Sequence, residues 1–162
     1  MALNAYLTLK GETQGDIKGS TTQAGREDSI EVYGWNHEVA SPRDAASGLP
    51  TGKRQHKPLT IVHAIDKSSP LLMNVLVNNE NITEWRLTCW KPSRAGKEVH
   101  YYTVELLNAS IANIRVEQLN NKYPENMPHE LREYVSFTYQ KIVWTYEDGG
   151  ITAEDDWETP VA

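Results

Sequence analysis

The 162-residue chain carries one cysteine, Cys89, and one phenylalanine, Phe137. A single thiol excludes an intramolecular disulfide framework. With phenylalanine nearly absent, eight tyrosines and five tryptophans supply the aromatic content. Rings with a polar tip suit half-buried strands and interfaces better than a dry interior. No stretch approaches the roughly 18–20 apolar residues that a membrane-spanning helix needs, so no membrane insertion is expected. The opening MALNAYLTLKGETQGD lacks the basic start and long apolar run of a secretory leader. The expectation is synthesis in the cytoplasm and, for any export, a route that does not read a leader. No basic stripe is interleaved with aromatics, which argues against a nucleic-acid partner.

Signatures of chemistry are equally sparse. There is no glycine-rich phosphate loop and no G-x-S-x-G elbow. The histidines are His37, His56, His63, His100 and His129. No two stand at i, i+4 on a helix or i, i+2 on a strand, so no local metal pair is expected. His63 lies in an apolar run and reads as a hydrogen-bonded core residue. Cys89 alternates with Leu87 and Trp85 toward an interior, where a thiol is inert. Nothing in the sequence activates a Cys89–His63 pair. Glu154, Asp155 and Asp156 lack the glycine and terminal glutamate of a calcium loop and read as solvated charge. No catalytic, cofactor-binding or metal-binding residue is assigned, no cofactor is expected, and the chain is not expected to be an enzyme.

The charge is unevenly placed. Sixteen basic residues face 22 acidic ones, and the last base is Lys141. Glu147, Asp148, Glu154, Asp155, Asp156 and Glu158 follow it, so the net charge of −6 lies wholly beyond that lysine. Arg43, Lys53, Arg54 and Lys57 cluster instead in one loop, opposed only by Asp44. Two readings stand: a solvated acidic tail over 147–162, or one half of a self-complementary surface.

The length fits one domain spanning 1–162. Leu3, Ala5, Leu7 and Leu9 alternate with Ala2, Asn4, Tyr6 and Thr8 in the period of a half-buried strand. Residues 10–25 read as a loop. Residues 28–39 read as the second strand, with a bulge at Gly34 returning Trp35 to the inner face and turning Asn36 outward. Residues 40–58 hold three prolines, two glycines and no periodicity, and form a long functional or disordered loop. Further strands are expected over 59–65, 81–90, 99–107 and 110–118. The longest is expected over 131–146, bulged near Gln140 and Lys141. The one convincing helix follows 59–65. Ser69 is its expected N-cap, Pro70 its first residue, and Leu71, Leu72, Val75 and Leu76 its buried face, with Asn78 and Asn79 as stops. The fold class is mainly β: a β-barrel of two packed antiparallel sheets with one short α-helix on its flank. Several strands are apolar on both faces, as in Val99 and Tyr101 with Tyr102 and Val104. A monomer with one short helix cannot cover that much sheet, so oligomerisation is expected.

Three stretches carry a family likeness: IEVYGWNHEV at 30–39, the IDKSSPLL corner at 65–72, and VSFTYQKIVWTY at 135–146 followed by the acidic, tryptophan-containing tail. With them the chain resembles the haemolysin-coregulated protein (Hcp) family, the inner tube of the bacterial type VI secretion system. That resemblance implies six copies closing into a ring and rings stacking head to tail. It implies as partners a VgrG-type spike, the contractile sheath and baseplate, and small effector proteins carried in the lumen. Joined to the residue-level reading, it makes Asn36 the lumen candidate, against the alternative of a merely solvated strand residue. Arg43, Lys53, Arg54 and Lys57 become candidates for ring stacking, with the acidic tail as their partner. The runner-up is a stand-alone small β-barrel enzyme or secreted effector.

Overall fold

A computed structural model describes residues 3–157 of the chain. Met1, Ala2 of the expected first strand, and 158–162 of the expected tail with Glu158 lie outside the described residues.

The predicted alternation appears as β1 (Asn4–Gly11), with Ala5, Leu7 and Leu9 buried. Tyr6, on the opposite face, is buried as well. Arg26 covers it: the guanidinium lies 5.0 Å from the Tyr6 ring and 3.9 Å from that of Trp90. The region read as a loop contains a short strand, β2 (Gly15–Ile17), which pairs with β1 and buries Ile17.

The second predicted strand is broken. Ile30–Val32 (β3) pairs with β1, whereas Gly34–Asn36 (β4) pairs with β7 (Leu59–Ala64) in another sheet. The chain crosses between sheets at Tyr33, so no bulge is needed at Gly34. Trp35 still packs against the core, opposite Ile61. Val39–Ala40 (β5) and Gln55–His56 (β6) form a two-stranded base beneath the long loop.

The helix, α1 (Ser69–Val77), starts one residue earlier than its composition suggested. Its N-cap is Ser68, not Ser69, and Pro70 lies in the first turn. Asp66 governs this corner: its Oδ1 accepts bonds from the Ser68 amide and hydroxyl. Ser69 Oγ turns back to accept the Asp66 amide at 3.0 Å, so it is not free to cap. Leu72 and Val75 are buried and Leu76 packs on the core, but Leu71 is exposed. The stop is as expected. Asn79 takes φ +50°, a left-handed conformation that asparagine tolerates. The Asn79 amide then bonds Leu76 O and the Glu80 amide bonds Val75 O, which satisfies the last carbonyls.

β8 (Ile82–Pro92) and β9 (Glu98–Leu107) form the predicted hairpin, turning through Gly96 at φ +80°. β10 (Ser110–Glu117) carries the helix on its flank. The expected longest strand is two strands. β11 (Arg132–Thr138) lies between β10 and β7, and β12 (Lys141–Tyr146) lies beside β9. The parity change at 139–140 is therefore a sheet crossing, not a bulge. Part of the expected solvated tail is also ordered: β13 (Ile151–Asp156) pairs with β12 along its whole length.

The result is a seven-stranded antiparallel sheet, β13-β12-β9-β8-β1-β2 with β3 also on β1, facing a four-stranded one, β10-β11-β7-β4. They form two hydrogen-bonded units joined at chain corners, an open version of the expected barrel. Trp85 of the large sheet meets Phe137 of the small one edge to face at 5.4 Å. Truncating such a fully buried ring costs about 3–5 kcal/mol.

His63 and Glu133 lie opposite each other in this core, both essentially inaccessible, with Nε2 and Oε1 2.7 Å apart. His63 is a core residue as expected, but its partner is a carboxylate, and neither ring nitrogen has a well-aligned hydrogen bond. Removing one member of a buried pair strands the other, whereas removing both does not. His63→Leu or Glu133→Leu alone should each lower unfolding stability by about 3–5 kcal/mol, and the double substitution should cost less than either. Urea titration of the three variants checks this. A double variant as unstable as the sum of the singles would show that the two side chains act independently.

Candidate functional site

The outward face of the small sheet is the first candidate surface. Register places Asn36 beside Thr60, Thr60 beside Ser136, and Ser136 beside Asn113. One row of small polar side chains thus crosses all four strands, tied at its centre by a 2.9 Å Thr60–Ser136 hydroxyl bond. Asn36 is exposed, as the sequence reading required. Its neighbours on β7 and β11 went unnoticed because cross-strand register is not written in local sequence. Nearer the other end of the sheet the face becomes charged. Arg115 lies over the Tyr134 ring at 4.1 Å and pairs with Glu117 at 2.8 Å, and Arg132 approaches the same carboxylate at 3.7 Å.

The inner face of the large sheet supplies the second surface. Seven strands cannot be covered by four. The row Val32, Ala5, Cys89, Tyr102, Tyr146, Ile151 runs from the core outward. Exposure climbs along it from 4% at Val32 to 41% at Tyr146 and 68% at Ile151. Ala153, beside Trp144 in the next row, is exposed too. This apolar overhang continues the core beyond the edge of the small sheet.

The third element is the base of the loop at 40–58. Arg43, Lys53 and Lys57 are exposed, as a contact loop requires. Arg54 is not available for such a contact. Its guanidinium clamps Asp155, Nε to Oδ2 at 2.5 Å and Nη2 to Oδ1 at 2.8 Å, and reaches the Asp156 carbonyl at 2.9 Å. The complementarity between basic loop and acidic tail is real, but at this pair it is satisfied within one chain. The fork holds the Asp155 carboxyl below the usual carboxylate range, chiefly through the hydrogen bonds from Arg54.

His56 joins the same carboxylate through Nε2 at 2.6 Å. Its Nδ1 lies 2.7 Å from the Tyr139 hydroxyl, and His37 Nε2 lies 2.6 Å from the other side of that hydroxyl. Trp157 donates its indole N–H to Tyr139 O at 2.6 Å and packs near the His56 ring. Four histidine, tyrosine and aspartate side chains, distant in sequence, therefore converge on the seam between loop and edge strand. No spacing rule could have found them, because the fold alone brings residues 37, 56, 139 and 155 together.

A carboxylate, an imidazole and a hydroxyl in line suggest nucleophilic catalysis, but the geometry opposes it. Burial pushes the Tyr139 hydroxyl well above the usual phenol range, the reverse of activation. Its far side is closed by His37 rather than open to a substrate. Thr103 likewise lies buried between His100 Nε2 at 2.6 Å and Glu147 Oε1 at 2.5 Å. Its one proton is committed to that carboxylate. Burial also raises the Cys89 thiol, whose partner is Trp35, while His63 is held by Glu133. The Cys89–His63 pair considered above does not form. On β13, Glu154 turns to Lys141 at 3.2 Å and Asp155 to the opposite face, so strand alternation separates two of the tail carboxylates.

Comparison with known proteins agrees with this architecture. Residues 6–146 match the family model described as "Type VI secretion system effector, Hcp". The chain is similar to the "Major exported protein" of Pseudomonas aeruginosa, 43% identical over 171 aligned positions that cover 100% of this chain and 99% of the relative. Among solved structures it is similar to an Hcp protein at TM-score 0.92 and 32% identity, covering 98% of this chain and 100% of that one. The secreted protein Hcp3 of Pseudomonas aeruginosa matches at TM-score 0.80 and 35% identity, over 98% of this chain and 100% of the other.

Proposed function

The chain belongs to the Hcp family of the type VI secretion system, and from that membership we propose that it is a subunit of the system's inner tube, closing with five copies of itself into a ring. The observation that carries this reading is the apolar overhang at Tyr146, Ile151 and Ala153. A sheet face that continues a core without a cover is stable in water once another surface seals it. In a ring every copy offers the overhang to the next and receives one in turn, so none is left exposed. Such a contact should bury more than about 1,000 Å². In this arrangement the polar row through Asn36 lines the passage, rings stack head to tail through the loop at 40–58, and small effector proteins travel inside. The VgrG-type spike, the sheath and the baseplate are the machine-level partners. Export follows the tube itself.

Three measurements test the parts separately. Light scattering on purified protein should give a mass near six times 18.3 kDa, and Tyr146→Glu with Ile151→Glu should reduce it to one subunit while the fold persists by circular dichroism. A ring that survives both charges would remove the overhang from the interface. Stacking depends instead on the exposed loop cations. Arg43→Glu, Lys53→Glu and Lys57→Glu together should shorten tubes in electron micrographs but leave single rings. Each exposed pair is worth only ~0–1 kcal/mol, but a ring–ring contact repeats it in every copy. Tubes of unchanged length would remove charge from the stacking contact.

The lumen assignment is tested by bulk. Asn36→Trp should lower the amount of effector recovered with the rings several-fold without changing ring mass. Equal recovery would leave Asn36 as a solvated strand residue.

A further inference from the structure

The two ends of β7 carry opposite charge. The loop at 40–58 leads into its start at Leu59, and its end at Ala64 lies beside Tyr33, where the chain crosses between sheets. Six residues of strand, roughly 20 Å, separate the two ends. The crossing leaves a notch of about 210 Å³, lined by Glu31, Tyr33, Ile65, Asp66 and Glu130. Tyr33 and Ile65 expose apolar area there, and the Tyr33 hydroxyl donates to Glu130 at 3.1 Å. That hydroxyl is pushed above the usual phenol range, first by burial and then by Glu130, with Glu31 and Asp66 adding to it. Among the described residues no cation pairs with these three carboxylates. Lys18 and Lys67 turn instead to Asp28, at 3.7 and 3.6 Å, and Arg132 turns to Glu117 at 3.7 Å. Asp66 is bonded into the helix corner, so Glu31 and Glu130 are the exposed acids.

At the other end the loop is a built arm, not a slack connection. Arg43 bridges to Pro50 beyond the β5–β6 base. The Asp44 amide bonds Leu49 O at 2.8 Å, and the Thr51 amide bonds Pro42 O at 3.0 Å. Asp44, the one acid between 40 and 58, accepts the Ser47 amide at 2.8 Å and the Ser47 hydroxyl at 2.6 Å. Those bonds hold its carboxyl below the usual carboxylate range and turn it into the arm's own tip. Leu49 is left 64% exposed at that tip. Arg43 and Lys53 flank it, both exposed, and neither pairs with a carboxylate among the described residues. A preformed arm of this kind loses little freedom when it docks.

We infer that the notch receives this arm from a second copy of the chain: Leu49 seats against Tyr33 and Ile65, while Arg43 and Lys53 face Glu31 and Glu130. The two surfaces match in character, an apolar centre flanked by charge, and they are opposite in sign. They also lie at opposite ends of one strand, so the occupant of a notch is the arm of another copy. A contact between two unlike surfaces placed in this way is heterologous, and repeated along the strand direction it runs on in a line instead of closing on two copies. The acids of β13, expected from the sequence as the partner of the basic loop, are already engaged within their own chain, Glu154 by Lys141 and Asp155 by Arg54. The inference rests on the tube reading and adds to it the surface that receives the loop when one ring meets the next. Each ion pair is weak alone, and the contact gains strength because every copy in a ring repeats it.

Charge reversal with rescue tests the pairing on the full chain. Glu31→Lys with Glu130→Lys should shorten tubes several-fold in electron micrographs, at a ring mass that light scattering finds unchanged. Arg43→Glu with Lys53→Glu should do the same. All four substitutions in one chain exchange the signs on both sides of every contact, so tube length should return toward that of the wild type. Leu49→Ser should shorten tubes without touching any charge. Tubes shortened by the loop pair but not by the notch pair, or a quadruple variant no longer than either pair, would overturn the notch and leave stacking through the loop in place. Unchanged tubes in Leu49→Ser would overturn the apolar seat. Tubes indifferent to both pairs would remove the loop from stacking and the notch with it. A wild-type mass of one subunit would instead remove the ring itself, which separates failure of the tube reading from failure of this contact.

Discussion

The structure depends on a mismatch of areas. A seven-stranded sheet cannot be sealed by a four-stranded one, and every strand beyond the fourth has to find other cover. At the β1 side the inner face lies within the core, and Arg26 covers the other face, packing on Tyr6 and Trp90 and anchored by Glu98 at 2.7 Å. The helix is spent on β10 and cannot help at the other end. At the β12–β13 side, the loop base and Trp157 cover the part near Tyr139, and the part near Ile151 is left open. Apolar area removed from water is worth roughly 25 cal/mol per Å², so an open strip beside a finished core favours association over exposure. The same mismatch leaves the four-stranded sheet with an outward face that makes few demands. Small polar groups such as Asn36, Thr60 and Ser136 can occupy it without disturbing the core.

How much of this was legible in the sequence follows from the range of each cause. The alternation of Leu7 and Leu9, or of Trp85, Leu87 and Cys89, is set by neighbours two residues away, and those strands and their buried faces were read correctly. The Asn79 stop is equally local. The crossings at Tyr33 and at 139–140 are not. Both produced a parity change that reads like a bulge, because a strand that turns through a corner and a strand with an extra residue leave the same local pattern. Only pairing to β1 on one side of Tyr33 and to β7 on the other distinguishes them. The helix cap failed for a smaller reason. Ser68 and Ser69 have the same chemistry, and the choice between them is made by the Asp66 carboxylate, which engages Ser68. β13 was missed because Thr152, Ala153 and Glu154 show no buried parity: an edge strand with one face open carries almost no hydrophobic signal.

The acidic end of the chain shows how a composition argument can be right in sign and incomplete in place. Beyond Lys141 the sequence is uniformly acidic, and a basic loop stands elsewhere, so attraction between them was the natural inference. Folding spends part of that attraction internally. Glu154 meets Lys141, Asp155 meets Arg54 and His56, and Glu147 is bonded by Thr103. The pairs involving Asp155 are short and partly shielded, where a charge-assisted bond is worth more than at an open surface. The proposed contact between rings, built on Arg43, Lys53 and Lys57, would therefore have to look beyond these engaged carboxylates, or compete with the internal partners for them. Competition is the more demanding case. It would mean that opening the loop base and forming the external contact are one equilibrium, with the free energy of the Arg54–Asp155 fork setting how much the outer contact has to supply. A loop tethered at its base and free at its exposed cations needs no such exchange, and that is the arrangement this fold presents.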